Sequence, residues 1–433
     1  MKGFFKILAA NLLTHLLIAI VLGVIFLLVL FIVPLFFIKP INSSSVLTVS
    51  LNKPISQYSG TTAPSLESVF APPIGLSEII SSIDHAKNDK RIKGLFLDFE
   101  DSSQFNLGAA SRTELRNVIG DFKAKGKFVI GYGELYTDNS YHLASIADQV
   151  LLNPHGELSF DGFSETYLFL TELLDKAGVE MEIFYAGEFK GATEPFRLKS
   201  LSDQNRQQIT EYLNGLYQIY LKDISESREI KIRDLADISN QLQIRSAEDA
   251  KEKKLVDQLA YRDQALDLIR EKLGIKESSS AIPSITLADY QLTTAPITEN
   301  RRAEIAVVHM DGPITLGAAP TPITDQNYGR LFRQLRKQKG LKAIVIRINS
   351  PGGSALASEN IWREIQLTRQ QGITVVTSMS DMAASGGYYI ASASEKIVAQ
   401  PNTITGSIGV FAMIPKVRNL LEGKLGVTFD TVK

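Results

Sequence analysis

An unbroken apolar run opens the chain, and short apolar runs alternating with helical patterns fill the rest. Residues 16–38, LLIAIVLGVIFLLVLFIVPLFFI, contain no charge. A helix of that length crosses a hydrocarbon core with some tilt to spare. Pro34 lies near its end, where a kink costs little. A secretory signal peptide has a shorter apolar region and a small-residue cleavage site. This stretch shows neither, so the pattern predicts a retained single-pass anchor. Lys2 and Lys6 precede it and favour a cytoplasmic N-terminus, although Lys39 on the far side weakens that bias. Everything beyond residue 40 is then expected outside the cytoplasm.

The remaining pattern reads twice. SVLTVSLNKPI (45–55) resembles AEIAVVHMDGPI (303–314), and RIKGLFLDFE (91–100) resembles GLKAIVIRIN (340–349). ASIADQVLLNP (144–154) resembles ASASEKIVAQP (391–401), at an offset of about 248 residues. Each copy reads strand, helix, strand, short helix, strand, which predicts an α/β fold with much parallel pairing. The expected organisation is a cytoplasmic tip and anchor over 1–44, a first unit over 45–275, a connector rich in Ser, Thr and Pro over 276–302, and a second unit over 303–433. Within the first unit, an amphipathic helix is expected near 202–222, with Ile209, Leu213, Leu216 and Tyr220 on one face. The charged stretch 227–275 reads as helical and surface-exposed. Lys433 aligns near Tyr185, so the second unit is expected to be incomplete and the chain a fragment of a longer protein.

Composition narrows the function classes. Lys and Arg number 46 against 47 Asp and Glu, which gives no electrostatic case for nucleic acid. No zinc-finger or RNP-type pattern is present. The absence of cysteine excludes disulfides, thiol catalysis and Cys-ligated metals, and it suits an oxidising compartment. His15, His85, His142, His155 and His309 form no HExxH or paired metal spacing.

The candidate chemistry centres on DMAASGGYYIASAS, residues 381–394. A small-residue turn around Ser385 follows a strand expected over 373–378 and precedes a helical run. A serine at that point sits at a helix N-terminus, where free N–H groups favour developing negative charge. Gly386 and Gly387 let a carbonyl approach the backbone closely. Tight packing of a Gly/Ala-rich helix start is the competing explanation. A second glycine turn, Ser350-Pro351-Gly352-Gly353, follows the strand Ala343 to Asn349. Alone it is a plain Pro-Gly turn. Two such turns after neighbouring strands bring two N–H donors to one point, as an oxyanion hole requires. The first unit has FEDSSQF (99–105) and approximately Asp138 at the matching places, so it lacks the serine turn.

A serine nucleophile needs a base, and no histidine except His309 lies in the second unit. A neutral lysine can serve. Lys190 in EIFYAGEFKGATEPF (182–196) follows a strand, lies between Gly187 and Gly191, and has Phe184, Tyr185, Phe189 and Phe196 nearby. An aromatic setting lowers an amine pKa, while pairing with Glu194 opposes that shift.

INSPGGS, MAASGGYY and PNTITGSIGVF, with YAGEFKGATEPF in the preceding repeat, together resemble the signal peptide peptidase A family in its long, two-repeat form. The resemblance covers nearly all of 46–433 and the anchor. It implies a Clp protease/crotonase-like fold of repeated ββα units and a Ser/Lys dyad with Ser385 as nucleophile and Lys190 as base. Ser407 is implied to orient the lysine. The backbone N–H of Gly386 and one from Gly352 or Gly353 are implied as oxyanion donors. The resemblance further implies no metal or cofactor, a homotetramer in the bacterial cytoplasmic membrane facing outward, and substrates among cleaved signal peptides and other hydrophobic peptides. Two other readings share the fold: a crotonase-type acyl-CoA enzyme, against which the anchor and the ASGGY serine argue, and an inactive membrane-anchored scaffold.

Overall fold

A computed structural model of the chain describes residues 40–51, 55–59, 75–100, 102, 104–276, 281–294, 303–318 and 323–432, with parts of an N-terminal helical segment within 3–23. Among the described residues no helix is long and apolar enough to cross a membrane. Residues 19 and 24–38 of the expected anchor lie outside the described residues.

The first half alternates strand and helix: β1 (Ser45–Ser50), α1 (Leu76–Ala86), β2 (Ile92–Phe99), α2 (Ala109–Ala124), β3 (Phe128–Tyr136), α3 (Asp138–Ala144) and β4 (Gln149–Leu158). Then come α4 (Thr171–Ala177), β5 (Glu180–Tyr185), α5 (Glu194–Arg197), α6 (Asp203–Arg228), α7 (Ile232–Asn240), α8 (Ala247–Glu252), β6 (Gln258–Leu259) and α9 (Arg262–Leu273). β7 (Ser284–Thr286) and α10 (Leu287–Thr294) complete it. The first sheet has the order β6-β4-β3-β2-β1-β7, parallel throughout. Both faces are covered, as parallel sheets require. Leu47, Leu95, Leu97 and Val129 pack on one side, and Val46, Phe96, Ile130 and Leu151 pack on the other against Ala265 and Ile269 of α9.

Two expectations change here. Residues 284–294 do more than connect, since β7 pairs with β1 and α10 buries Tyr290 in the first core. The stretch 227–275 is helical but not merely superficial: Leu235, Ile238, Ala250, Leu255 and Ile269 are buried. Its many charges hide a narrow apolar stripe. In α6, Tyr220, Leu221 and Ile224 are buried, whereas Ile209, Leu213 and Leu216 are only half-buried.

The second half runs β8 (Ile305–Asp311), β9 (Ile314–Thr315), β10 (Ile323–Thr324), α11 (Asp325–Lys337), β11 (Ala343–Ser350), α12 (Ala355–Gln370), β12 (Thr374–Ala384) and α13 (Gly386–Ser392). β13 (Lys396–Val398), β14 (Ile404–Gly406) and β15 (Phe411–Lys416) follow. Its sheet has the order β13-β12-β11-β8, with β14 also on β12, again all parallel. Ile344, Ile346 and Ile348 of β11 point into a separate core with Phe332, Ile361, Ile365 and Ile390. The alternate face is less covered, and Ile305, Val307 and Val398 are exposed on this sheet. β15 leaves the sheet and pairs antiparallel with β5 of the first half, from Phe411 opposite Tyr185 to Lys416 opposite Glu180.

The single tryptophan, Trp362, packs against the second core. Phe332→Ala is expected to cost about 3 to 5 kcal/mol by leaving a cavity there. The denaturant midpoint of Trp362 fluorescence should fall, while part of the far-UV circular dichroism loss stays at its wild-type midpoint. A circular dichroism loss that shifts as a whole with the fluorescence midpoint would contradict separate cores.

Candidate active site

Three parallel strands end side by side. Ser350 at the end of β11 pairs with Ala383 of β12, and Ala384 pairs with Gly406 at the end of β14. The turns that leave these strands therefore meet. Ser385 follows β12 directly, which runs six residues beyond the strand end expected from sequence. It caps α13 with φ 53° and ψ −117°, a conformation that L-residues rarely hold. Its N–H donates to Gly406 O at 2.8 Å. Ser407, next along β14, also has positive φ, at 48°.

The glycines of both turns are sterically required. A Cβ at Gly386 would lie 2.5 Å from Ser358 Oγ, and one at Gly387 would lie 2.9 Å from Ser350 O. A Cβ at Gly352, where φ is 97°, would sit 2.7 Å from Gly386 N and 2.8 Å from the Ser385 Cβ. Close packing and close approach are thus one property of these turns. The Gly352 N–H donates to Ser350 Oγ at 3.1 Å. The N–H groups of Gly353 and Gly386 have no hydrogen-bond partner among the described residues. A Cβ on Gly386 would lie 3.3 Å from Gly353 N, so the two free donors flank one space. Of the two glycines left open by the sequence, Gly353 has the available donor.

Lys190 arrives from the other half. The β5–β15 ribbon carries on into a backbone bond from Ala186 N–H to Val410 O at 3.0 Å. Beyond it the two chains pass so closely that a Cβ at Gly409, φ 137°, would lie 2.3 Å from Ala186 O. This crossing sets the lysine loop against the Ser407 loop. Lys190 Nζ lies 3.1 Å from Ser385 Oγ, 3.0 Å from Ser407 Oγ and 2.6 Å from Ser407 O. Lys190 is 4% exposed, and burial holds its amine below the ordinary lysine value. Ser385 is half-buried and Ser407 exposed, so the hydroxyl beside the amine is reachable from solvent. Such an arrangement can pass a proton from Ser385 to Lys190 and hold an oxyanion at the two free N–H groups.

Two expected influences on the lysine act differently. Glu194 does not pair with it. This buried carboxylate accepts from Ser202 Oγ at 2.5 Å, Ser202 N at 3.1 Å and Asn205 Nδ2 at 3.0 Å. Burial alone would raise its pKa, but those bonds hold it below the usual range. Glu194 thereby ties the lysine loop to the N-terminus of α6, where Gln208 Nε2 also donates to Phe189 O at 3.1 Å. The Ser202-x-x-Asn205 cap was the available sequence signal for this anchor. The aromatic residues near Lys190 in sequence are not buried around it: Phe184, Tyr185 and Phe189 are exposed, Phe196 is half-buried, and Tyr185 lies under Arg197 at 4.3 Å. In the first half, Thr137 rather than Asp138 caps the short helix α3. It has an ordinary φ of −79°, and its side chain accepts from Ser140 N.

Known proteins resemble the chain over most of its length. It is 35% identical to "Protease 4" of Salmonella typhi over 82% of this chain and 58% of that protein. It is 34% identical to "Protease 4" of Haemophilus influenzae over 87% of this chain and 61% of that protein. It is 32% identical to the chloroplastic serine protease SPPA of Arabidopsis thaliana over 90% of this chain and 57% of that protein. The chain thus spans about three fifths of the length of these relatives. The model of peptidase family S49 matches residues 121–276 and 368–433, just over half of the chain. The first matched segment carries the lysine loop and the second carries the serine turn and Ser407, and the chain belongs to peptidase family S49.

Proposed function

We propose that the chain is a serine endopeptidase in which Ser385 is the nucleophile and Lys190 the general base. The observation that carries this reading is the 3.1 Å contact between the Lys190 amine and the Ser385 hydroxyl, made across the two halves by a lysine that burial biases toward the neutral form. Neutral Lys190 takes the Ser385 proton as Oγ attacks the scissile carbonyl. The N–H groups of Gly353 and Gly386 receive the oxyanion. The protonated amine then donates to the leaving nitrogen, and water attacks the acyl-enzyme with Lys190 as base again. Ser407 holds the amine in line through its carbonyl and hydroxyl oxygens.

The same reading takes the halves as two Clp protease/crotonase-like copies of one unit, 45–275 and 303–433. The matching order of parallel strands, β4-β3-β2-β1 against β13-β12-β11-β8, supports it. The copy without the serine turn supplies the base. The apolar run 16–38 serves as a single-pass anchor that keeps the site outside the cytoplasm and raises the effective concentration of membrane-bound peptides. Substrates are cleaved signal peptides and other hydrophobic peptides, and the working assembly is a homotetramer.

Hydrolysis of an internally quenched hydrophobic peptide in detergent tests the dyad. Ser385→Ala and Lys190→Ala should each lower kcat by roughly 10^4-fold or more, and the double variant should lose little further. Retained activity in Ser385→Ala would sink the mechanism, and retained activity in Lys190→Ala alone would require another base. The pH dependence has a definite sign. Since the neutral amine is the active form, kcat/KM should rise with pH and level off below the pKa of free lysine. Lys190→Arg, which stays protonated, should be inactive throughout. Activity that falls as pH rises over this range would contradict the assignment.

A further inference from the structure

The strand that delivers Ser385 is gripped by the first half at a point four residues before the serine. Asp381, near the end of β12, accepts from Ser111 N at 2.8 Å and from Ser111 Oγ at 2.5 Å. Ser111 is the third residue of α2 and is fully buried. Helix α2 has Gly108 at its N-cap and no side-chain cap of its own. A carboxylate from the other half fills that role, where the helix dipole and an unpaired N–H both favour it. Gly108 is shaped for it: a Cβ there would lie 2.2 Å from the Asp381 carboxyl carbon.

The neighbouring contacts give this grip a direction. One turn along α2, Glu114 pairs with Arg347 of β11 at 2.8 Å. Arg347 also donates to Ser380 Oγ at 2.9 Å and to Met379 O at 3.2 Å, both on β12. Gln57 of the first half closes the set, accepting from Ser380 Oγ at 2.6 Å and donating to Ser111 Oγ at 3.0 Å. Fixing register is the best-attested use of a polar network of this kind. An apolar contact between α2 and β12 would tolerate sliding along the strand, while a carboxylate seated on one N–H does not.

We propose that Asp381 is a positioning residue for the reaction: by capping α2 of the first half, it fixes the end of β12, and so Ser385, relative to the lysine that the first half supplies. This rests on the Ser385/Lys190 reading. Asp381 touches no reacting atom, so its loss should lower kcat and leave KM nearly unchanged.

The test uses the full chain in detergent, the quenched hydrophobic peptide for kcat and KM, and a fluorescent fluorophosphonate for the rate of serine labelling. Asp381→Ala should lower kcat and the labelling rate roughly a hundredfold, the scale of a displacement near 1 Å. Asp381→Asn, which keeps one acceptor, should lose less in the same direction. Ser111→Ala removes a single hydroxyl on the other side, with its charge-assisted bond to Asp381 and its bond from Gln57 Nε2, and should cost about tenfold. It keeps the inference testable if the Asp381 variants do not fold. Where Asp381→Ala folds, adding Ser111→Ala to it should cost clearly less than Ser111→Ala costs alone, since the Asp381 contact is already gone and only the bond from Gln57 Nε2 remains to be lost. A rise in KM at constant kcat, a Ser111→Ala enzyme indistinguishable from wild type, or single losses that multiply in full in the double variant would each overturn the positioning role. Ser385→Ala is run alongside. If it is inactive while Asp381→Ala matches wild type, only the positioning role fails. If Ser385→Ala remains active, both fail.

Discussion

The pairing of β5 with β15 is the constraint on which the site depends. Lys190 and Ser385 are 195 positions apart, and while Ser385 leaves a strand of the second sheet, Lys190 follows β5, which belongs to neither large sheet. One antiparallel ribbon brings them together. A two-stranded ribbon is marginal by itself, and this one has no fully buried residue on either strand. Its ends supply what its length does not. Beyond one end the glycine crossing at Gly409 locks the two loops, and past the lysine the buried Glu194 is bonded to the start of a 26-residue helix.

The second sheet contributes through a different constraint, the register of parallel strands. The backbone at the end of β12 turns sharply because Ser385 holds positive φ, and the bond from its N–H to Gly406 O ties that turn to the neighbouring strand. Ser407 is bent the same way one residue later. Two non-glycine residues in this conformation, side by side, carry strain that the surrounding sheet must offset. The return is directional: the bends place Ser385 Oγ and both Ser407 oxygens within reach of one amine. In the first half, the short helix after β3 starts from Thr137 in an unstrained conformation with its side chain committed to a cap. The hydroxyl is present there and the bend is absent.

Much of this was legible in the sequence, unevenly so. Local patterns gave the α/β alternation, both glycine turns, Ser385 and the segment around Lys190, because each is written in a short run of residue types. The limits of sequence reading were contacts between distant segments. The Ser202-x-x-Asn205 cap marks a helix start near Glu194, but a helix start does not say that Glu194 bonds to it rather than to Lys190, which is nearer along the chain. The aromatic residues beside Lys190 suggested an apolar pocket, but Phe184 and Tyr185 are exposed on the ribbon, and the buried amine meets the oxygens of Ser385 and Ser407 instead. The choice between Gly352 and Gly353 depended on which N–H was already taken, and Ser350 Oγ takes that of Gly352. In 227–275, frequent charges masked the buried stripe of Leu235, Ile238 and Leu255.

The surroundings of Lys190 match what a base needs through a full cycle on the proposed reading. A neutral amine has two N–H donors and one lone pair. The Ser407 carbonyl oxygen can only accept, and the Ser407 hydroxyl oxygen can accept, which uses both donors and leaves the lone pair for the Ser385 O–H. After proton transfer the ammonium has three donors and the same three oxygens all accept. Neither protonation state leaves the amine unpaired, so taking the proton needs no rearrangement, and only the third N–H has to turn from Oγ to the leaving nitrogen in the next step. A carboxylate in place of one of these oxygens would hold the lysine charged and idle. Glu194 is near enough in sequence to do that, and Ser202 and Asn205 hold it elsewhere.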